Sequence, residues 1–329
     1  MFLRSSTSVV YAAIAGNFAI AVTKFGAAAL SGSAAMLSEG VHSLVDTGNG
    51  LLMLHGIRRS RKPPDAAHPF GSGKELYFWT LIVAILVFAI GGGISIYGGI
   101  ASMLHPEPLR NPVWNYGVLG VATLFEGITW TIAHREFRKV KGRLGYWQAM
   151  QTSKDPTTMT VLVEDTAAML GVAIAFVGIF LAHAFDMPAL DGAAAILIGV
   201  ILATVGSLLA YKCKGLLIGE GVEPETLASI RAIAESDPAV ARLARALTMH
   251  FGPQEVLLTM EIQFQSDLSA GEVAGAIERL DHAIRSRHPE VRLIFLESQS
   301  IAMLTRKGAG AGVASDRDWR SSGSSTTGS

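Results

Sequence analysis

Residues 36–49 read MLSEGVHSLVDTGN, and the interpretation of the whole chain turns on them. Ala34, Ala35 and Leu37 lead in and Leu51, Leu52, Met53 and Leu54 follow, a setting apolar enough for a lipid bilayer. Three ionisable residues interrupt it: Glu39, His42 and Asp46. Their i, i+3, i+7 spacing puts them on one face of a helix, and Asn49 extends that face by another turn. Each ionisable group at membrane depth costs about 2.5–3.5 kcal/mol on insertion scales, so such a stripe marks a functional site by default. A carboxylate one helical turn from an imidazole is also half of a divalent-metal site. The isolated alternative, a single polar residue bonding two helices together, does not account for three ionisable groups on one face.

Composition places the stripe in a membrane protein. The 329 residues are 50% hydrophobic and only 16% charged, where a soluble domain averages about 25% charged. Mean hydropathy is +0.39. The formal net charge is zero, which gives no electrostatic reason to expect a nucleic-acid partner. One cysteine, Cys213, allows neither an intrachain disulfide nor a thiolate zinc cluster. No secretory leader is expected, because the first apolar run is too long for one and lacks a convincing cleavage site.

Six apolar runs are each about long enough to span a bilayer: about 9–30, 33–56, 77–102, 113–134, 158–183 and 189–212. The first is interrupted by Asn17 and Lys24 and joined to the second by a tight SGS link. The second carries the stripe and ends in a loop kept non-helical by Pro63, Pro64 and Pro69. The third contains Gly91, Gly92 and Gly93, which predicts close packing or a bend. Glu126 lies in the fourth, and Glu164 and Asp165 lie in the fifth. Loops are expected after the second, fourth and sixth runs, and these are basic (Arg58, Arg59, Arg61, Lys62; Arg135, Arg138, Lys139, Lys141, Arg143, Lys154; Lys212, Lys214). The other loops hold only Arg110, with Glu107, Asp186 and Asp191. The positive-inside rule then puts both termini in the cytoplasm, with the inner or plasma membrane as the expected location.

From about residue 215 the pattern becomes that of a small soluble domain. Pro224 opens a helix, 240–250 and 256–264 read as strands about a Gly252–Pro253 turn, and 291–296 reads as a third strand. Ser269 and Glu272 form a capping box for a helix that His288–Pro289 stops. The expected fold class is an α-helical membrane protein with six transmembrane helices and a small C-terminal cytoplasmic α/β domain, ferredoxin-like in its α-β-β-α-β order. The expected boundaries are 1–214, 215–305 and a disordered tail over 306–329.

Several strings carry a family resemblance: SGSAAMLSEGVHSLVD, the loop HPFGSGKE, and GLLIGE after the sixth run. With six spans and a cytoplasmic α/β domain, they make residues 5–305 resemble the cation diffusion facilitators. HPFGSGKELYFW and DPTTMTVLVEDTAAMLG are similar to the branch that includes zinc transporter nine. The resemblance implies a tetrahedral metal site built from i, i+4 pairs on spans two and five. The first pair is His42 and Asp46, and the second ends at Asp165. Its usual histidine partner is replaced by Val161, so one expected ligand is absent. Glu164 is the candidate substitute, although about 100° from Asp165 around an ideal helix. Glu164 could equally carry protons or pair with Lys24. Glu39, Asn49 and Glu126 are expected beside the ion or on its access path; for Glu126 a proton relay and pairing with Lys24 or an asparagine are equal alternatives. Weaker candidates for additional metal are Asp65 and His68 in the loop after span two, and His250 in the cytoplasmic domain, with Glu261 and Glu297 on the strands beside it.

The function implied by the resemblance is efflux of a divalent metal by metal/proton antiport with alternating access. Zinc leads, with manganese, iron or cadmium as alternatives. An oxygen-rich site with one histidine is harder than a two-histidine site and favours manganese or iron more than such a site does. The metal is cargo, protons are the counter-ion, no cofactor is expected, and the partners are the bilayer and a second copy of the chain. HExxH is absent, which argues against an intramembrane metalloprotease. A scaffold or metal-sensing regulator that has lost transport is the alternative, because Val161 breaks the ligand pattern.

Overall fold

The computed structural model describes residues 7–106, 113–142 and 144–298. Glu107, Arg110, Arg143 and the tail expected from 306 lie outside the described residues. The chain divides into two units, one centred on the residues up to Glu220 and one on those from Gly221.

The first unit is helical. Helix α1 spans Thr7–Ser31 and α2 spans Ala34–Ser60. The SGS link between them turns at Gly32, whose φ of 73° suits a residue without a Cβ. Ser33 caps α2 by accepting from the Met36 N–H at 3.0 Å. A second cap comes from a distant helix: Asp191 accepts from Ser33 Oγ at 2.6 Å and from the N–H groups of Ala34 and Ala35. A carboxylate at a helix N-terminus satisfies orphan donors and favours the dipole, so α2 is fastened at its start.

The third apolar run is not a uniform helix. It is α3 (Glu75–Leu86), a π-helical turn (Val87–Gly92) and α4 (Gly93–Leu104). Of the three glycines expected to bend or pack closely, Gly91 and Gly92 pack against α8 (Ala189–Ile218) and Gly93 does not. The π turn widens the helix at the triplet, and Gly92 and Gly99 lie against α8 at Gly192 and Gly199. A Cβ on Gly99 would stand 2.6 Å from the Gly192 carbonyl oxygen, and one on Gly199 2.8 Å from the Ile96 nitrogen. Small residues on both sides let the two backbones touch, which suits helix association in lipid.

Helix α5 spans Val113–Lys141, α6 Tyr146–Thr152 and α7 Pro156–Ala184. This corrects the loop expected from Arg135 onward. Nothing in 135–141 breaks a helix, and Arg138, Lys139 and Lys141 favour its C-terminal dipole end, so α5 continues to Lys141. Helix α6 has no side-chain cap and only seven residues. It is held by tertiary stacking of Tyr146 on His134 and Phe137, with centroids 5.4 and 6.0 Å apart. Among the described residues, α1, the α3–α4 segment, α5, α7 and α8 each contain a stretch long and apolar enough to cross a membrane. Helix α2 is as long, at 27 residues, but its polar stripe makes it less apolar.

The second unit follows the expected order: α9 (Pro224–Ser236), β1 (Val240–Gly252), β2 (Glu255–Phe264), α10 (Ala270–Arg287) and β3 (Val291–Ser298). The sheet order is β1-β2-β3, with β2 and β3 parallel. Alternate residues of β2, Val256 through Phe264, are buried with Ile230 and Ala234 of α9 and Ala276, Leu280 and Ile284 of α10. Both bonds of the Ser269–Glu272 capping box are present. His288 ends α10, partly buried, with Nε2 2.9 Å from Ser229 Oγ. Arg279 donates two bonds of 2.9 Å to Asp237. These hold the carboxylate below its usual range, so the tie is complete above that range and lost as pH falls through the lowered value.

The glycine contact makes a prediction. Gly99→Ala should force α4 away from α8 and destabilise the protein by about 1–3 kcal/mol. Gly93→Ala, with nothing within 4 Å of its Cβ, should be nearly neutral. Thermal melting of the two variants in detergent compares them, and equal midpoints would contradict the close packing.

Candidate cation site

The polar stripe of α2 faces inward. Glu39, His42 and Asn49 are buried, and Asp46 is half-buried. Each meets a different neighbour, because successive turns of α2 pass different helices.

At the first turn of the stripe, Glu39 meets Lys24 of α1, which is wholly buried at 0% exposure. Lys24 Nζ lies 2.8 Å from Glu39 Oε2, 2.7 Å from Glu126 Oε1 of α5 and 3.0 Å from Ser43 Oγ. Glu39 also packs against Gly171 of α7, where a Cβ would collide with Oε1. A buried ammonium is tolerable only when paired and hydrogen-bonded, and all three of its protons are used. Of the sequence alternatives for Lys24, the structure selects Glu126, adds Glu39 and leaves Glu164 elsewhere.

One turn on, His42 is 1% exposed and neither ring nitrogen has a hydrogen-bond partner. Its Nε2 is 3.6 Å from Asp46 Oδ2, too far for a hydrogen bond. Two donors about 2.1 Å from a tetrahedral ion sit about 3.4 Å apart, so this separation is close to that of two ligands of one ion. Asp46 Oδ1 is also buried without a partner.

At the last turn, Asn49 Nδ2 donates to Glu164 Oε1 of α7 at 2.8 Å. Glu164 is buried and points toward α2, while its neighbour Asp165 is half-buried with Oδ2 unpartnered. Asp46 lies within electrostatic reach of both. Val161, at the expected ligand position, is 36% exposed and contributes no donor.

His42 and Asp46 are therefore together, with Glu164, Asp165 and Glu126 around them on α7 and α5. Among the described residues no three His, Cys, Asp or Glu side chains converge tightly enough to hold one ion. The weaker candidates lie apart. Asp65 and His68 are exposed, and Asp65 Oδ1 accepts from the N–H of Ala67 and of His68 in a local turn. His250 is buried near the end of β1, with Nδ1 3.2 Å from the Gly252 carbonyl oxygen. Glu261 and Glu297 are register partners on β2 and β3.

Two features escaped the sequence reading. Asp191, placed there in a loop, is the buried cap of α2 described above. Its only signal is an acidic residue in the first turn of an apolar run. Lys24, expected to pair with at most one carboxylate, is the hub of three helices; a lone cation inside a span is signal enough to look for its counter-ions.

Residues 10–218 match the cation efflux transmembrane domain, and the chain belongs to the cation efflux, or cation diffusion facilitator, family. It is an integral membrane protein. Among curated proteins it is similar to the mouse (Mus musculus) proton-coupled zinc antiporter SLC30A9, mitochondrial, with 32% identity over 337 residues covering 90% of this chain and 59% of the relative. Metal tolerance protein C4 of Arabidopsis thaliana is 29% identical over 77% of this chain and 56% of its own length. The magnetosome protein MamM of Paramagnetospirillum magneticum is 27% identical over 66% of each chain. The chain thus spans about 60% of the length of the antiporters that it matches.

The buried ion network makes a prediction. Lys24→Met leaves Glu39 and Glu126 buried without their cation and should destabilise the protein by about 3–5 kcal/mol. Adding Glu39→Gln and Glu126→Gln should recover most of that loss. An unchanged melting midpoint for Lys24→Met alone would show that the network is not structural.

Proposed function

We propose that the chain is an efflux transporter for divalent metal, with zinc as its first cargo, working as a metal/proton antiporter. The observation that carries this reading is the His42–Asp46 pair: His42 Nε2 and Asp46 Oδ2 are separated much as two ligands of one ion would be, and both His42 ring nitrogens and Asp46 Oδ1 are buried without a hydrogen-bond partner. Membership of the cation efflux family and the names of the antiporter relatives support it. Asp165 and Glu164 of α7 are the proposed further ligands. Asn49 holds Glu164 in place, and Glu39 and Glu126 tune the charge beside the ion.

The proposal includes α2 as a sixth span, its polar face turned from lipid into the bundle. It also includes a transport domain up to the end of α8, a ferredoxin-like domain formed by α9 to β3, and a homodimer. Both termini face the cytoplasm, in an inner or plasma membrane. Metal and protons compete for the same lone pairs, since neutral imidazole and ionised carboxylate bind metal and their protonated forms do not. Rocking of helices about a midplane site would expose it to each side in turn. The glycine-packed α4–α8 pair is suited to move as one body against the helices that carry the stripe.

Reconstitution in liposomes containing a proton-sensitive dye tests the proposal. Addition of zinc should drive proton movement in the wild type, and His42→Ala and Asp46→Ala should each reduce it to the level of empty liposomes. Unchanged flux in either variant would contradict the site. No flux with zinc, manganese, iron or cadmium from folded wild-type protein would favour the transport-inactive scaffold instead.

A further inference from the structure

The proposed function leaves one position unexplained: α7 offers Val161, an exposed apolar side chain, where a fourth donor is expected. Helix α5 supplies a donor from another direction. Glu126 reaches the bundle interior with its Oε1 accepting from Lys24, while its Oε2 is buried and has no hydrogen-bond partner. The charge of Glu126 acts on His42, Asp46 and Asp165 alike, whereas that of Glu164 couples to Asp46 and Asp165. Those three groups carry further orphaned atoms: both nitrogens of the wholly buried His42, Asp46 Oδ1 and Asp165 Oδ2, beside Glu39 Oε1 and Asn49 Oδ1 on the same stripe.

Lone-pair atoms from α2, α5 and α7 thus surround one region without protons to satisfy them. Buried polar atoms in native proteins are ordinarily partnered, and such exceptions call for an explanation. A divalent cation satisfies the carboxylate oxygens and one nitrogen of His42, which are donors of electron pairs; the other His42 nitrogen carries the ring proton. Lys24 is unsuited to that task, since its protons are already committed to Glu39, Glu126 and Ser43.

We propose that Glu126 is a cargo ligand: its free Oε2 supplies from α5 the donor that α7 lacks at Val161, and Lys24, braced between Glu126 and Glu39, is the residue that positions it. The proposal rests on the transport-site reading above. The donors are not yet gathered at one point, so ion binding draws α5 and α7 toward the His42–Asp46 pair. A carboxylate in place of an imidazole hardens the site, which raises its affinity for manganese relative to zinc over that of a two-histidine site.

Calorimetric titration of the full chain in detergent with zinc and with manganese tests this, on wild type, Glu126→Gln, Glu126→Asp, Lys24→Arg and Asp46→Ala. Glu126→Gln keeps an acceptor for Lys24, and a melting curve checks its fold. It should weaken zinc binding at least tenfold and manganese binding by a larger factor. Glu126→Asp should restore part of the loss, and Lys24→Arg should preserve the wild-type ratio of the two metals. Wild-type affinities in Glu126→Gln, with binding lost in Asp46→Ala, would overturn the Glu126 assignment and leave the transport site standing. Wild-type binding in Asp46→Ala would overturn the transport site and this proposal with it. If Glu126→Gln misfolds, Glu126→Asp decides: binding weakened with an altered metal ratio supports the assignment, and unaltered binding overturns it.

Discussion

An ammonium group with no access to solvent, Lys24 Nζ, sits between two carboxylates and a hydroxyl drawn from α2 and α5. Much of the bundle follows from it. Moving either carboxylate away would leave a charge stranded in a low-dielectric interior, which is the expensive way to break a buried pair. The network therefore fixes the rotation of α2 about its own axis. With Glu39 turned toward α1 and α5, the following turns of the stripe must present His42, Asp46 and Asn49 to the same interior, where α7 brings Glu164 and Asp165.

A second constraint acts at the end of α2. Asp191 holds the first N–H groups of that helix from α8, and α8 in turn lies backbone to backbone against α4 through glycines. Helix α2 is thus tied to α1 and α5 by charge and to α8 by its cap. The two ties differ in kind. The first is a buried ion network with every proton of Lys24 engaged; the second is one carboxylate on a helix terminus. The alternating access proposed for this chain requires one packing of its helices to be exchanged for another, and the single-carboxylate tie is the simpler one to break and remake.

The amount of this that could be read from the amino-acid order differed by type of contact. Periodicity within one helix is written in the sequence, so spacing alone places Glu39, His42, Asp46 and Asn49 on one face. The elements of the second unit were legible for the same reason: Pro224, the Ser269–Glu272 box and alternating apolar residues are local signals. Contacts between helices depend on their rotation and depth, which no spacing within a helix reports. Hence Lys24 could have met Glu164 or Glu126 and meets Glu126 and Glu39. Hence too Glu164, not Asp165, is the carboxylate of α7 that bonds to α2. Helix α6 and the cap by Asp191 arise from tertiary contacts alone. One expectation drawn from local composition, a loop from Arg135, gave way to the dipole preference at the end of α5.

The central claim is that the α2 stripe holds a divalent cation through His42 and a carboxylate. X-ray absorption at the zinc edge, on zinc-loaded full-length protein, tests it most directly. The account predicts a shell of oxygen and nitrogen without sulfur, with a single imidazole whose signature disappears in His42→Ala. A zinc shell that is unchanged in His42→Ala, or that contains no imidazole in the wild type, would contradict it.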